Sequence, residues 1–149
     1  MTPKLRFPGF TDEWQVKKLG DVLNGSKLGG NYENTGALTK QPLMKMGNLG
    51  RGKFNTKKIE YIQEGQRVTD EDRIKLGDLF FNTRNTLDLV GKVAIWRDEL
   101  PLAYYNSNLM RLDFACNEYM NSYLNSYQGM KALKRLATGT KSVAAIYTR

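Results

Sequence analysis

A chain of 149 residues, 40% of them hydrophobic, is long enough to bury one core and too short for two comfortable domains. Its formal net charge of +8 predicts attraction to anions, with nucleic acid the first candidate and an anionic membrane surface the second. No stretch approaches the roughly 18 consecutive apolar residues of a membrane-spanning helix, which argues against the membrane. A well-solvated basic surface with no anionic partner remains the general alternative.

The residue types that most often carry catalysis are scarce. The chain holds no histidine and a single cysteine, Cys116, which removes the commonest general base and the usual zinc ligands and excludes an internal disulfide. With no secretory signal pattern after Met1, this favours the reducing cytoplasm. The acids at positions 70–72 are interpreted as solvated caps of a turn, and Cys116 as a small buried apolar residue. We therefore predict no catalytic residue, no metal site and no cofactor in this chain.

The amino-terminal segment has the composition of an extended arm. Residues 1–13 combine prolines, a glycine and scattered aromatics, and we expect them to lie along the domain. An imperfect alternation over residues 14–19 predicts a short strand, after which Asp21 is a candidate cap for one helical turn. The arm is expected to pack through the aromatic residues Phe7, Phe10 and Trp14.

A polar, glycine-rich stretch follows. Residues 24–41 hold four glycines and many Asn, Thr and Ser residues, a composition that predicts a long exposed loop. Lys27 and Asn31 are candidate DNA contacts in this loop. A merely flexible surface loop fits the same composition, so both interpretations stay open.

A second candidate contact region surrounds the next strand. Residues 43–46 are predicted to form that strand, which brings Lys45 close to a glycine-rich turn. Glycines let the backbone approach a partner closely, and Arg51 and Lys53 in this turn are candidates for phosphate contacts. An ordinary turn is the competing interpretation.

Residues 74–96 are predicted to be the centre of the domain. Their two ends are rich in aromatic and β-branched residues, whereas residues 82–86 are wholly polar, a pattern typical of strand, exposed loop and strand. The loop offers a guanidinium in Arg84, an amide in Asn85 and a hydroxyl in Thr86. Arginine suits the edge of guanine and asparagine that of adenine, so these residues are the first candidates for base contacts. The alternative is a hairpin connection chosen for its turn-forming residues.

The last third of the chain predicts a strand and the main helix. Residues 103–114 place Met110, Leu112 and Phe114 on one face of a strand. Asn117 is a candidate N-cap. Tyr119, Tyr123 and Tyr127 recur at a helical spacing beside Met120 and Leu124, and this stripe predicts the buried face of the helix. Gly129 is expected to bend or divide this helix. The small, donor-rich loop that closes it contains the candidate DNA contacts Thr140, Lys141 and Ser142.

The order of these features resembles a known family. The segments that carry the resemblance are PKLRFPGFTDEW, KKLGDV, PLMKMGNL, KLGDLFFNTRN with VGKVAIW, and RLATGTKSV. In this order they are similar to the first target-recognition domain of the specificity subunit of type I restriction-modification systems. The resemblance covers nearly the whole chain, although no single segment is strict.

The resemblance implies recognition of double-stranded DNA without chemistry. Members of the family carry two such domains separated by long helices, and each domain reads one half of a split target. The methyltransferase subunit binds S-adenosylmethionine and methylates adenine, and the restriction subunit cleaves. This chain ends before the expected spacer helix and so resembles half a specificity subunit. Self-association or pairing with another half-subunit would follow from that.

We therefore predict that residues 1–149 form a single α+β domain. It has a twisted, mostly antiparallel sheet with one main helix packed on it, and loops at one edge face DNA. The alternatives are an RNA-binding domain and a truncated subunit that acts as a protein-interaction or regulatory module. The predicted DNA contacts are Arg84, Asn85 and Thr86, supported by Lys27, Asn31, Lys45, Arg51, Lys53, Thr140, Lys141 and Ser142.

Overall fold

The computed structural model describes residues 8–139 and 144–146 and has the predicted α+β class. The helices are α1 (Leu19–Val22), α2 (Asn117–Leu124) and α3 (Tyr127–Leu136), and 3₁₀ turns lie at Met46–Asn48 and Asp70–Asp72. The strands are β1 (Leu23–Leu28), β2 (Asn34–Thr35), β3 (Pro42–Met44), β4 (Gly52–Lys53), β5 (Glu60–Ile62), β6 (Leu79–Asn82), β7 (Arg84–Asn85), β8 (Val93–Ile95), β9 (Tyr104–Tyr105), β10 (Leu109–Phe114), β11 (Thr138–Gly139) and β12 (Ala144–Ala145). In this part of the chain the strands form three sheets rather than one, and the main helix is divided into α2 and α3.

The largest sheet is built around the hairpin predicted at its centre. Its strand order is β1-β10-β6-β8-β4, antiparallel except where β4 pairs with β8. The predicted hairpin is confirmed, with Leu79 opposite Ile95 and Phe81 opposite Val93. All four side chains of β6 are buried, as expected for a strand that is covered on both faces.

Each face of this hairpin contacts a different layer. Phe81 packs with Leu124 and Leu133 of the helices, together with the apolar face of β10 that was predicted from its alternation. Phe80 points to the other face, where its ring centre lies 4.8 Å from that of Tyr105 in an edge-on contact. Tyr105 belongs to a four-stranded sheet of order β2-β5-β3-β9. The hairpin is therefore buried between the helices and this second sheet.

The start of the domain differs from the sequence prediction. Residues 14–19 do not form a strand, Asp21 lies within α1 rather than at its cap, and the predicted loop at 24–41 begins as strand β1. β1 pairs with β10 as far as Leu28 opposite Met110, so tertiary pairing overrides a composition poor in strand formers. The next residue, Gly29, is required by crowding, because a Cβ there would lie 2.3 Å from the carbonyl oxygen of Tyr105.

The predicted buried face of the helix is confirmed for its aliphatic residues and wrong for its tyrosines. Tyr119, Tyr123 and Tyr127 are 47%, 46% and 73% exposed. Met120 and Leu124 of the predicted face are buried, and Asn121 is buried beside them. The amide of Asn121 donates to the carbonyl oxygen of Gly52 at 3.1 Å, and the amide of Asn125 donates to that of Val93 at 3.0 Å. Polar residues thus share the buried face because they satisfy the ends of the strands, which a hydrophobic pattern does not predict.

The helix divides four residues before the predicted Gly129. α2 ends at Leu124, and the hydroxyl of Ser126 caps α3 by accepting a hydrogen bond from the main-chain N–H of Gly129 at 3.2 Å. A Cβ at Gly129 would lie 2.3 Å from the carbonyl oxygen of Tyr123 and 2.7 Å from the Cα of Leu124. Gly129 therefore permits the close approach of the two helices and is not itself the break.

Two further predictions concern the start of α2 and the amino-terminal arm. Cys116 is exposed rather than buried, and it occupies the N-cap position predicted for Asn117. The side chain of Asn117 instead accepts from the N–H of Phe114 and donates to the carbonyl oxygen of Gly77, both at 2.9 Å. In the arm, Phe7 lies outside the described residues, and Trp14 stacks on Tyr119 while 57% exposed. Within the described residues, no helix is both long and apolar enough to cross a bilayer.

The close approach at Gly129 makes a stability prediction. We expect Gly129→Ala to destabilise the fold by about 1–3 kcal/mol, because the added methyl group meets main-chain atoms that cannot rotate away. Helix propensity alone would favour alanine by about 1 kcal/mol, so the sign of the change distinguishes the two effects. Urea unfolding measures it.

Gly20→Ala is the matched control. Gly20 lies in α1, and a Cβ there meets nothing within 4 Å. A stability change of the same size and sign in both variants would contradict the crowding argument.

Candidate nucleic-acid interface

The loop after β6 is closed by one buried amide. Asn82 was predicted to lie in the exposed loop, but its side chain is 0% exposed. Its side-chain oxygen accepts from the N–H of Lys92 at 2.7 Å, and its amide donates to the carbonyl oxygen of Leu89 at 3.0 Å. Its main chain donates to Lys92 and accepts from Gly91 as well. A single side chain thus holds the two ends of residues 83–91 together.

The candidate base contacts lie on this closed loop. Arg84 is exposed, and Asn85 and Thr86 are half-buried. The side-chain oxygen of Asn85 accepts from the N–H of Thr86 at 2.8 Å, and the carbonyl oxygen of Thr86 accepts from Val90 at 2.8 Å. Neither the guanidinium of Arg84 nor the amide nitrogen of Asn85 has a hydrogen-bond partner among the described residues. The groups suited to base edges are therefore the ones left available.

A small third sheet joins this loop to the end of the chain. Its order is β11-β12-β7, with Arg84 opposite Ala145 and Asn85 opposite Ala144. The N–H of Ile146 donates to the carbonyl oxygen of Thr83 at 3.0 Å. The candidates Thr140, Lys141 and Ser142 lie outside the described residues, but the strands on either side of them, β11 and β12, belong to the same sheet as Arg84.

Lys27 and Asn31 lie elsewhere. Lys27 is on β1, where its ammonium lies 2.6 Å from a carboxylate oxygen of Asp72. Asp72 was interpreted as a solvated cap, but it is 4% exposed and also accepts from the hydroxyl of Tyr32 at 2.5 Å. Burial disfavours the charged form of Lys27, but the hydrogen bond and charge of Asp72 outweigh this, so the pKa of Lys27 is raised. Lys27 thus has a buried structural partner, whereas Asn31 is exposed.

The three supporting cations around β3 and β4 also differ in the partners that they contact. Lys45 forms an ion pair with Glu60, and this hydrogen bond lowers the pKa of Glu60. The guanidinium of Arg51 instead reaches the loop after β6, where it donates to the carbonyl oxygen of Asp88 at 3.2 Å. Lys53 is exposed on β4, with no carboxylate within ion-pair distance among the described residues. Of these three, Arg51 is the one that contacts residues 83–91, which we call the candidate base-reading loop.

Two cations of α3 that lie beside this loop are not among the predicted DNA contacts. The ammonium of Lys134 is 3.2 Å from a carboxylate oxygen of Asp88, and that of Lys131 lies 5.7 Å from the ring centre of Tyr127. A usable signal was present, because no Asp or Glu follows Glu118 in the sequence. The arrangement offers hydrogen-bond donors and positive charge. No group of three or more potential metal-ligating side chains occurs in the parts of the chain that the structure describes.

The closure by Asn82 yields the second prediction. We expect Asn82→Ala to lower the free energy of unfolding by about 2 kcal/mol or more, since each buried polar group left unpaired costs about 1–3 kcal/mol. Amide hydrogen exchange at Lys92 should accelerate, because that N–H loses its acceptor. Asn55→Ala is the control, since Asn55 is exposed and its side chain accepts only from the nearby N–H of Lys57. Unchanged exchange at Lys92 would mean that the loop is held by other contacts.

Comparison with known proteins gives one distant relative and no family assignment. No protein-family model matches the chain. It is 24% identical over 105 residues to a protein of Methanocaldococcus jannaschii named "Putative type I restriction enzyme MjaX specificity subunit". The match covers 68% of this chain and 24% of that protein, so the chain spans about a quarter of the length of its relative. The name of this relative is that of the family of subunits that the sequence segments resemble.

Proposed function

We propose that this chain is a target-recognition domain that reads double-stranded DNA as one half of a type I restriction-modification specificity subunit. The observation that carries the proposal is the loop closed by Asn82, which presents Arg84 and Asn85 with free donor groups beside a basic helix. The distant similarity to a protein named as such a subunit supports it.

The chemistry of the loop suits base edges. A guanidinium can donate two hydrogen bonds to O6 and N7 of guanine, and an asparagine amide can pair with N6 and N7 of adenine. Contacts to phosphates supply most of the affinity but carry little sequence information. Arg84, Asn85 and Thr86 would thus read sequence, while Lys53 and the cations around Asp88 would position the duplex.

In this proposal the chain directs chemistry that other subunits perform. The methyltransferase subunit would bind S-adenosylmethionine, take the target adenine out of the duplex and methylate it. The restriction subunit would cleave. This chain would contribute no cofactor ligand, metal ligand or catalytic group.

Arg84→Ala tests the base-reading role. Selection of duplexes from a randomised pool should give one base pair whose discrimination falls by about 1–3 kcal/mol in the variant, because the paired hydrogen bonds to guanine are lost. Arg67→Ala is the control, since Arg67 is also exposed but lies in the segment after β5. Arg67→Ala should leave the target profile unchanged.

An unchanged profile in Arg84→Ala would remove this residue from the reading surface. If A-form RNA competes better than any duplex DNA, the alternative of an RNA-binding domain replaces the proposal.

An exposed aromatic face favours a second candidate function, that of a protein-interaction module. Trp14, Tyr119 and Tyr123 form this aromatic face: the ring of Tyr119 lies 6.4 Å from that of Trp14 and 6.2 Å from that of Tyr123, stacked in both cases. All three rings are about half exposed. Exposed tyrosine and tryptophan are enriched in the energetically important centres of protein interfaces. The partner in this second candidate is the methyltransferase subunit.

Capture of that methyltransferase in the absence of DNA tests the second candidate. If the aromatic face is the contact, Tyr119→Ala combined with Tyr123→Ala should weaken capture by about 2 kcal/mol or more, the usual cost of losing an interface hot spot. Leu76→Ala is the control, because Leu76 is an exposed apolar residue outside this face. Equal capture by all variants would leave the aromatic face without this role.

A further inference from the structure

A cleft separates the base-reading loop from α3. It is open to solvent, holds about 320 Å³ and has apolar side chains in its lining, among them Leu87, Val90 and Met130. The polar side chains that line it are Arg51, Asp88, Tyr127, Lys131 and Lys134. Three of these carry positive charge and one carries negative charge. We call this site the cationic cleft.

Two of the three cations of the cleft contact Asp88. Lys134 reaches the carboxylate of Asp88 at 3.2 Å, and Arg51 reaches its main-chain carbonyl oxygen, also at 3.2 Å. Lys131 lies over the ring of Tyr127 on the same helix. Among the described residues, Asp88 is the only acid that lines the cleft. The cleft is therefore lined by three cations and one carboxylate and keeps an excess of positive charge.

Asp88 holds this position weakly. Its side chain is 87% exposed and that of Lys134 is 57% exposed. An exposed pair of this kind contributes about 0–1 kcal/mol, because water and salt screen it. A phosphate group offers more acceptor oxygens than one carboxylate, and arginine can bind it through two parallel hydrogen bonds. An incoming phosphate can thus replace the carboxylate at little cost.

We propose that the cationic cleft binds a backbone phosphate of the DNA, held by Lys134, Lys131 and Arg51, and that Asp88 occupies this site until DNA replaces it. The inference rests on the proposed function and assigns a positioning site to it. The base-reading residues and Asp88 of this phosphate site belong to the same closed loop. A phosphate fixed here sets the register of the duplex over Arg84 and Asn85.

Removing one cation tests the phosphate contact. In Lys134→Gln, the affinity for all duplexes should fall alike, and the slope of log K against log salt should become less steep by about 1, because one fewer counterion is released. Lys40→Gln is the matched control, since Lys40 is also exposed but lies between β2 and β3. An equal loss of slope in both variants would reduce the effect to net charge and overturn the site.

A double-mutant cycle tests the displacement of Asp88. Asp88→Asn should tighten duplex binding several-fold, and most of this gain should vanish in the Lys134→Gln background, where the carboxylate no longer competes with phosphate for an ammonium. Glu64→Gln, which removes an exposed carboxylate after β5, is the control for net charge. The same gain in both backgrounds, or an equal gain in Glu64→Gln, would overturn the competition.

Free phosphates identify the source of the bound group. The amide signals of residues 87–91 and of α3 should shift with duplex DNA at concentrations where inorganic phosphate or a mononucleotide shifts them little. Equal shifts with the small anions would assign the cleft to a small phosphate ligand and overturn its assignment to DNA. Duplex binding with an unchanged salt slope in Lys134→Gln would reject the cleft alone, whereas failure of the unmodified chain to select any duplex would reject the proposed function.

Discussion

The candidate reading surface depends on the closure of one loop by the buried side chain of Asn82. A buried amide is costly unless its donors and acceptor are paired. Asn82 pairs with Leu89 and Lys92 through its side chain and with Gly91 and Lys92 through its main chain. The same contacts that satisfy this amide bring the loop ends together. Arg84 and Asn85 therefore project from a loop whose shape is fixed by the core of the domain.

Other buried asparagines in the fold also pair with main-chain groups through their side chains. The amide of Asn48 donates to the carbonyl oxygens of Asn55 and Lys58, and Asn121 donates to that of Gly52. Many strands of this domain are only two or three residues long, so regular pairing leaves main-chain groups at their ends without partners. A short side chain that both donates and accepts can satisfy such groups. Some of the polar residues whose abundance favours a binding surface therefore stabilise the fold instead.

The sequence therefore predicted the elements with a regular hydrophobic pattern better than those whose residues are mostly polar. The β6–β8 hairpin and the buried face of β10 follow from aromatic and β-branched runs and from strict alternation, and both are confirmed. β1 was missed because its pairing with β10, which is remote in sequence, decides its conformation. The helix face was predicted only in part, because Asn121 and Asn125 bind strand ends while Tyr119 and Tyr123 stay exposed. In the candidate site, Arg84 could be found from its loop, but the approach of Lys134 to Asp88 spans 46 residues and required the fold.

In the proposed function, the fixed loop also couples the two kinds of contact that DNA recognition requires. Attraction to phosphates acts on every duplex alike, and it becomes useful for reading only if a bound phosphate fixes where the bases lie. Arg84 and Asp88 belong to the same loop, and Asn82 ties that loop at Leu89 and Lys92, just beyond Asp88. A displacement of the protein main chain at the cationic cleft would thus be transmitted to Arg84 through a few main-chain bonds. A loop without this closure would absorb such a shift, and the same cations would then add affinity without selectivity.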